Sequence, residues 1–585
     1  MAHSHTIDKG GEVKRLFIYT VALLLFSQAW ASSSVRIFDN NLYSELLSQT
    51  STSEGDVKLY RQIFTAIRNN DIATADKLSA QLKSQALIGH VLAQKYLSAK
   101  YRSSYQELQQ WLKQYPYLPQ KDAIAALAVT KAPGYKPRKA KPAAPKMYVP
   151  YAWYKDTYSQ LKPADRKFVR EKIVEFVRAI RRTDNPKAET IMHDTKFRMT
   201  IPDKRYDGMS ANLAASYFYD GDYEKALQWT QKAVKRSHDS TAAWFGGLAA
   251  WKMGDYRRAA EMFSKVQDED AWLTSAGAYW AYRSYSQLKD TPTALKYLRK
   301  AASNKRTFYG ILAQVMLDRK PKYNWQPKAH FNDLQDNGYY AEILKSPSLR
   351  RALLLIKSGE NDLAESDLRK NYSGMSAKQK ELVMFLSGEH SFANLSFVTA
   401  NGLKNYGQNR DYDAFMYPYP EWKPKGGWKV NPAWVFALIR QESLFMDKIK
   451  SHAGACGLMQ LMPSTAAMVA KNRKYAKGCK ELFDKPRNMQ IGQNYVKMLL
   501  EDKNVGDNMF FLAASYNGGP HNVKKWVNRQ NYDNDPLLFV EMIPWRETRL
   551  YVKKVVANYW IYNSRLGKDS QSLKQLSKGQ WPRLD

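Results

Sequence analysis

The sequence predicts an all-α protein, an α-superhelical array of helical hairpins followed by a separate C-terminal domain, and three observations carry that prediction. From about Asp56 to His390, Ala and Leu recur at three- and four-residue spacing with few β-branched alternations. The string Gly221-Asp222-Tyr223-Glu224-Lys225-Ala226 returns as Gly254-Asp255-Tyr256-Arg257-Arg258-Ala259, 33 positions later. Near Tyr417 to Gly427 the run YPYPEWKPKGG gathers Pro and Gly and marks a boundary before a new, strongly signalled helix. A chain of 585 residues is too long for one compact core, so several units are expected.

Taken in chain order, Lys14 and Arg15 precede the apolar run Leu16 to Phe26, which is shorter than a bilayer span and leads into Ala29-Trp30-Ala31. This pattern predicts a secretory leader cut after about Ala31, with no membrane span in the mature chain. Lys131 to Pro150, KAPGYKPRKAKPAAPKMYVP, holds five prolines and six Lys or Arg and reads as an extended basic connection inside the helical region. In the repeats, Gly-Asp ends one helix and opens the next, Tyr packs across the turn, and Ala sits where paired helices approach closely. A degenerate copy follows at Asp290 and Ala294. That is tetratricopeptide-like logic, and such arrays curve into superhelices.

Lys and Arg number 90 against 55 Asp and Glu, a formal charge of +35. The leader contributes Lys9, Lys14 and Arg15 against Asp8 and Glu12, so about +34 remains after its removal. The partner is therefore expected to be a polyanion. An exported chain meets the carboxylates of peptidoglycan and the phosphates of outer-membrane lipid before it meets nucleic acid, and no helix-turn-helix, finger or RNA-binding signature accompanies the charge. No nucleic-acid partner is expected. The only cysteines, Cys456 and Cys479, are an even count that in an oxidising compartment favours a disulfide; two buried free thiols are the alternative. Without nearby metal-ligand spacing they cannot complete a tetrahedral site, so neither a metal nor a cofactor is expected.

After the boundary, Asn431-Pro432 is a strong helix start, an Asn cap with Pro at the first helical position. Glu442 continues the apolar stripe of Val435, Leu438 and Ile439, which aims a carboxyl inward. Burial raises a carboxyl pKa, as a general acid working near neutral pH requires. On helix pattern alone a capped or salt-bridged structural Glu remains the competing reading. The segment Ser451 to Pro463, SHAGACGLMQLMP, supplies small residues that permit tight backbone beside Gln460 and Met462.

Glu442-Ser443, that SxxGAxGLMQLMP run, Ala514-Ser515-Tyr516-Asn517-Gly518-Gly519-Pro520 and Ile543-Pro544-Trp545-Arg546-Glu547-Thr548-Arg549-Leu550-Tyr551-Val552 together resemble the soluble lytic murein transglycosylases. Leu87 to Leu97, with Tyr115-Pro116-Tyr117-Leu118-Pro119 after it, resembles that family's helical region, so the likeness runs over nearly the whole chain. The one departure is Ser515 where the family usually has Ala before Tyr-Asn. The resemblance implies a leader at 1–31, a superhelical domain at 32–390, a small helical linker domain at 391–425, a lysozyme-like, mainly α catalytic domain at 426–570 and a polar tail at 571–585. It implies Glu442 as catalytic acid and base, and Ser451, Gln460, Met462, Tyr516, Asn517 and Glu547 as substrate-binding positions. It also implies a periplasmic enzyme acting on peptidoglycan glycan strands, with peptidoglycan synthases or other hydrolases as further partners.

In the implied reaction, Glu442 protonates the glycosidic oxygen after N-acetylmuramic acid and the substrate's own 2-acetamido oxygen attacks the anomeric carbon. Glu442 then draws the proton from the 6-hydroxyl, closing a 1,6-anhydro ring without water. Two other readings stay open: a muramidase that activates water through a second carboxylate, Asp447 being the nearest in sequence, and a non-catalytic basic scaffold that binds envelope polymers.

Overall fold

The computed structural model describes residues 40–134, 161–267, 270–325, 338–405, 412–529 and 531–585. The leader signal and most of the basic connection at 131–150 lie outside these residues. Helices make up every regular element described, and among the described residues the only extended pairings are the isolated bridges Lys450 with Cys456, Cys456 with Leu461 and Asn508 with Arg583. No described helix is long and apolar enough to cross a membrane.

The chain divides into two compact units, and each draws on two separated stretches of sequence. One joins the N-terminal helices, up to Lys121–Lys131, to 324–421. Its joint is polar and buried. His90 Nε2 lies 3.0 Å from Asp367 Oδ2, and both side chains are fully buried. Arg351 donates to the same carboxylate at 2.7 and 2.8 Å, Asn371 at 2.8 Å, and Gln120 meets the other His90 nitrogen at 3.1 Å. Burial pushes the Asp367 carboxyl up, but the bonds from His90 and Arg351 outweigh it and hold the group below the usual carboxylate range. Beside it, Gly89 is needed for space: a Cβ there would fall 2.6 Å from the Tyr115 ring, while Trp111 Nε1 donates to the Gly89 carbonyl at 2.8 Å. This is what the Leu87–Leu97 and Tyr115–Pro119 stretches do physically.

The second unit combines 161–323 with 422–585. Its first part is a solenoid of hairpins whose corners follow the sequence repeat. Gly221 and Gly254 take left-handed backbone at φ 91 and 75°, Asp222 and Asp255 cap the next helices by accepting from Lys225 N and Arg258 N, and Ala226 and Ala259 are fully buried. In the degenerate copy Lys289 takes the glycine's place at φ 60°, while Asp290 still caps by accepting from Thr293 N. The tyrosines pack across their turns, Tyr223 against Phe218 at 5.5 Å and Tyr256 against Trp251 at 5.0 Å.

The repeats pack directly on the C-terminal domain through a buried charge. Glu541, fully buried, receives Lys553 Nζ at 2.8 and 2.9 Å and the Tyr309 hydroxyl at 2.6 Å, and its carbonyl receives Tyr219 at 3.1 Å. Arg549 lies over the Tyr219 ring, and Arg283 bonds Asp535 at 2.6 Å. The stretch 571–585, expected as a polar tail, is instead part of this domain. Leu573 and Leu576 are buried, Trp581 packs on Phe511 and Phe539 at 5.3 and 5.7 Å, and Met509 N donates to the Pro582 carbonyl. Two apolar helix positions and one distant aromatic are enough to anchor an otherwise polar segment.

Candidate active site

The helix Pro432–Glu442 starts as its sequence dictates, with Asn431 Oδ1 accepting from Ala433 N at 3.0 Å. Trp434, Val435, Leu438 and Ile439 are fully buried, so the stripe that Glu442 continues faces the core. The helix ends at Glu442 because Leu444 and Phe445 both adopt left-handed backbone, φ 49 and 68°, an uncommon conformation for such residues. The Glu442 side chain is surrounded by protein on most sides yet not sealed from solvent.

Helix Arg546–Arg565 packs along this one and brings Tyr551, whose hydroxyl donates to Glu442 Oε1 at 2.5 Å. Burial pushes the Glu442 carboxyl up to about 7; the Tyr551 hydrogen bond pulls the other way, and the negative charge of Glu547 adds to the rise. Tyr516 and Tyr495, with rings 5.4 Å apart, complete the surroundings, and burial followed by the charge of Glu442 raises the Tyr516 hydroxyl well above its ordinary value.

The Gly-rich run meets this cluster at Tyr516, whose hydroxyl donates to the Met459 carbonyl. Cys456 sits at its centre, bridged to Lys450 on one side and Leu461 on the other, and is joined to Cys479 in a disulfide. Buried Asn488 clamps the turn by donating to the carbonyls of Cys456 at 3.0 Å and Leu482 at 2.8 Å and accepting from Met459 N at 2.9 Å. Gly457 is obligatory here, since its φ is 76° and a Cβ would fall 2.3 Å from the Leu482 carbonyl oxygen. Gln460 holds φ 46° and donates to the Gly457 carbonyl at 2.8 Å, while Ser451 Oγ accepts from Ala455 N at 2.9 Å.

Residues 422–538 match the family described as Transglycosylase SLT domain. The soluble lytic murein transglycosylase of Salmonella typhimurium is 26% identical over 369 residues, 61% of this chain and 53% of that protein. A putative soluble lytic murein transglycosylase of Haemophilus influenzae is 34% identical over 379 residues, covering 61% and 57%. The matched region thus spans little more than half the length of these relatives. The crystal structure of the 70 kDa soluble lytic transglycosylase from Escherichia coli superposes with a TM-score of 0.62 at 18% identity, covering 91% of this chain and 99% of that one. Residues 422–538 are thus a transglycosylase SLT domain, and the chain shares the fold of the soluble lytic transglycosylase.

In this soluble lytic transglycosylase fold, the residues singled out in the sequence do not all stand alike. The Tyr516 hydroxyl is donated to the Met459 carbonyl at 2.9 Å and ties the helix Met509–Gly518 to the Gly-rich run. Asn517 Oδ1 accepts from Thr548 at 2.6 Å, which fixes the amide with its nitrogen as the remaining polar group. Met462 is 39% exposed at the cap of helix Pro463–Val469 and so is not a core methionine. Glu547 is exposed in the first turn of its helix. The neighbouring Arg549 is given to the Ile543 carbonyl and the Tyr219 ring. Asp447 lies 3.4 Å from Lys485 in an ion pair. Sequence reasoning missed Tyr551 as a partner of Glu442, although it lies within the Ile543 to Val552 block already singled out.

Proposed function

We propose that this chain cuts peptidoglycan glycan strands at the MurNAc-GlcNAc β-1,4 bond without water, with Glu442 as the acid that protonates the leaving oxygen and then the base that takes the 6-hydroxyl proton. The observation that carries the reading is Glu442 itself: a carboxyl at a helix end, enclosed enough to hold its proton near pH 7 and fixed by Tyr551. A group poised there gives up and recovers one proton at little cost. The substrate's acetamide serves as internal nucleophile, so no second enzyme carboxylate is needed. Ser451, Gln460, Met462, Tyr516, Asn517 and Glu547 line the sugar groove in this account. The names of the relatives support murein as the substrate, and the net charge suits a polymer rich in carboxylates. The leader read from the sequence supports a periplasmic site of reaction.

Hydrolysis is the second reading, and it needs a carboxylate that activates water. Asp447 is engaged with Lys485, which leaves Glu547, exposed and close enough to raise the Glu442 pKa by its charge. Mass spectrometry of fragments released from purified sacculi separates the two. Anhydro products are one water lighter than hydrolytic ones, and recovery of reducing ends alone overturns the transglycosylase reading.

A further inference from the structure

Trp545 is 49% exposed, an unusual state for so large an apolar side chain. It is nevertheless braced. Its ring meets the edge of the buried Trp526 indole at 5.4 Å with an interplanar angle of 75°. Gly518 leaves room for both: a Cβ there would lie 3.2 Å from Trp526 Cη2 and 3.6 Å from Trp545 Cζ3.

Trp545 caps helix Arg546–Arg565, and Thr548 and Tyr551 follow at three-residue steps along the same face. Thr548 holds the Asn517 amide at 2.6 Å and Tyr551 holds the Glu442 carboxyl at 2.5 Å. Over roughly 9 Å the start of this helix therefore carries an open indole, the threonine that holds the Asn517 amide and the tyrosine that holds the Glu442 carboxyl. Because Thr548 occupies Asn517 Oδ1, the amide's N–H groups are what it presents beside the indole. A flat aromatic face next to an amide donor matches a pyranose ring, which has an apolar C–H face and, in an amino sugar, an acetamido carbonyl at its edge. A protein partner needs a far larger apolar patch than one indole.

We propose that Trp545 is a sugar-stacking platform, holding an N-acetylated pyranose of the glycan strand in a subsite that flanks the bond broken at Glu442, with Asn517 Nδ2 donating to the acetamido oxygen. This rests on the function proposed above. The platform fixes strand register, so its effect falls on binding more than on the chemical step.

The test uses peptide-free glycan strands and the full chain. In a Glu442→Gln background, where strands bind without being cut, Trp545→Ala weakens binding about tenfold or more and Trp545→Phe recovers most of it. In the Glu442-intact enzyme, Trp545→Ala raises KM by a similar factor while kcat changes less than about threefold. Unaltered affinity and KM in Trp545→Ala overturn the platform, as does a loss that Trp545→Phe fails to recover or that merely tracks a lowered unfolding midpoint. If the parent enzyme neither binds nor cuts strands, the proposed function itself fails; if the parent does both and Trp545→Ala matches it, only the platform fails.

Discussion

The Tyr551 hydroxyl donates to the Glu442 carboxylate at 2.5 Å, joining two helices whose residues are 109 positions apart in the chain. The bond fixes the carboxyl's direction and opposes the rise in its pKa that burial causes. Replacing Tyr551 by Phe removes both effects. The expected result is a cleavage rate lower by about 10- to 100-fold, the range of a misplaced general acid, with the pH limb displaced upward because the proton is then held more tightly. Rates of strand cleavage measured across pH on the Phe variant check both parts.

In the proposed reaction the same carboxyl sets the pH dependence of cleavage. A general acid must be protonated, so cleavage falls as pH rises through about 7, where Glu442 ionises. The folded state holds this proton more tightly than the unfolded chain, whose Glu titrates near 4.5. Its stabilising effect is therefore complete below pH 4.5 and is lost as pH climbs through about 7. Glu442→Gln is expected to be more stable than the parent at pH 8, by on the order of 2 kcal/mol once partial solvent access is allowed for, and equal to it at pH 4. Denaturant unfolding at the two pH values measures this.

The Cys456–Cys479 disulfide holds the Gly-rich run to the loop that follows it, with a sequence separation of 23. Converting both cysteines to Ser is expected to cost about 3 kcal/mol of stability, the entropy of a loop of that size. Gly457→Ala is expected to be worse for this run than Gly454→Ala. Both glycines are left-handed, but only Gly457 has backbone within 2.3 Å of an added Cβ, whereas Gly454 faces open space. Unfolding midpoints together with strand affinity give the comparison.

Lys553 and Glu541, both in the C-terminal domain, form a buried pair that the solenoid meets through the Tyr309 hydroxyl. Burial pulls the Lys553 pKa down and the Glu541 charge pushes it back up. Lys553→Met leaves Glu541 with the neutral Tyr309 hydroxyl and a loss of about 3–5 kcal/mol is expected. Adding Glu541→Gln should restore much of it, since the uncompensated charge is then gone. Denaturant titration of the single and double variants tests this.

Local chemistry made much of this legible from the sequence. The Gly-Asp corners, the Asn431-Pro432 helix start and the inward aim of Glu442 each depend on residues within one or two turns, and the structure places them as that spacing dictates. What escaped depends on partners far along the chain. Tyr551 finds Glu442, Asp367 finds His90 across 277 positions, and Tyr309 finds Glu541 across 232, and no periodicity announces such pairs. The Tyr516 hydroxyl is likewise taken by a distant group, the Met459 carbonyl 57 positions away. The C-terminal stretch looked polar because its anchors are only Leu573, Leu576 and Trp581.

The most direct test is release of soluble muropeptides from purified sacculi by the parent chain and by Glu442→Gln at matched folded concentration. The account predicts that the parent releases fragments and that the variant releases none above the uncatalysed background while still binding the sacculi. Undiminished release by Glu442→Gln contradicts it.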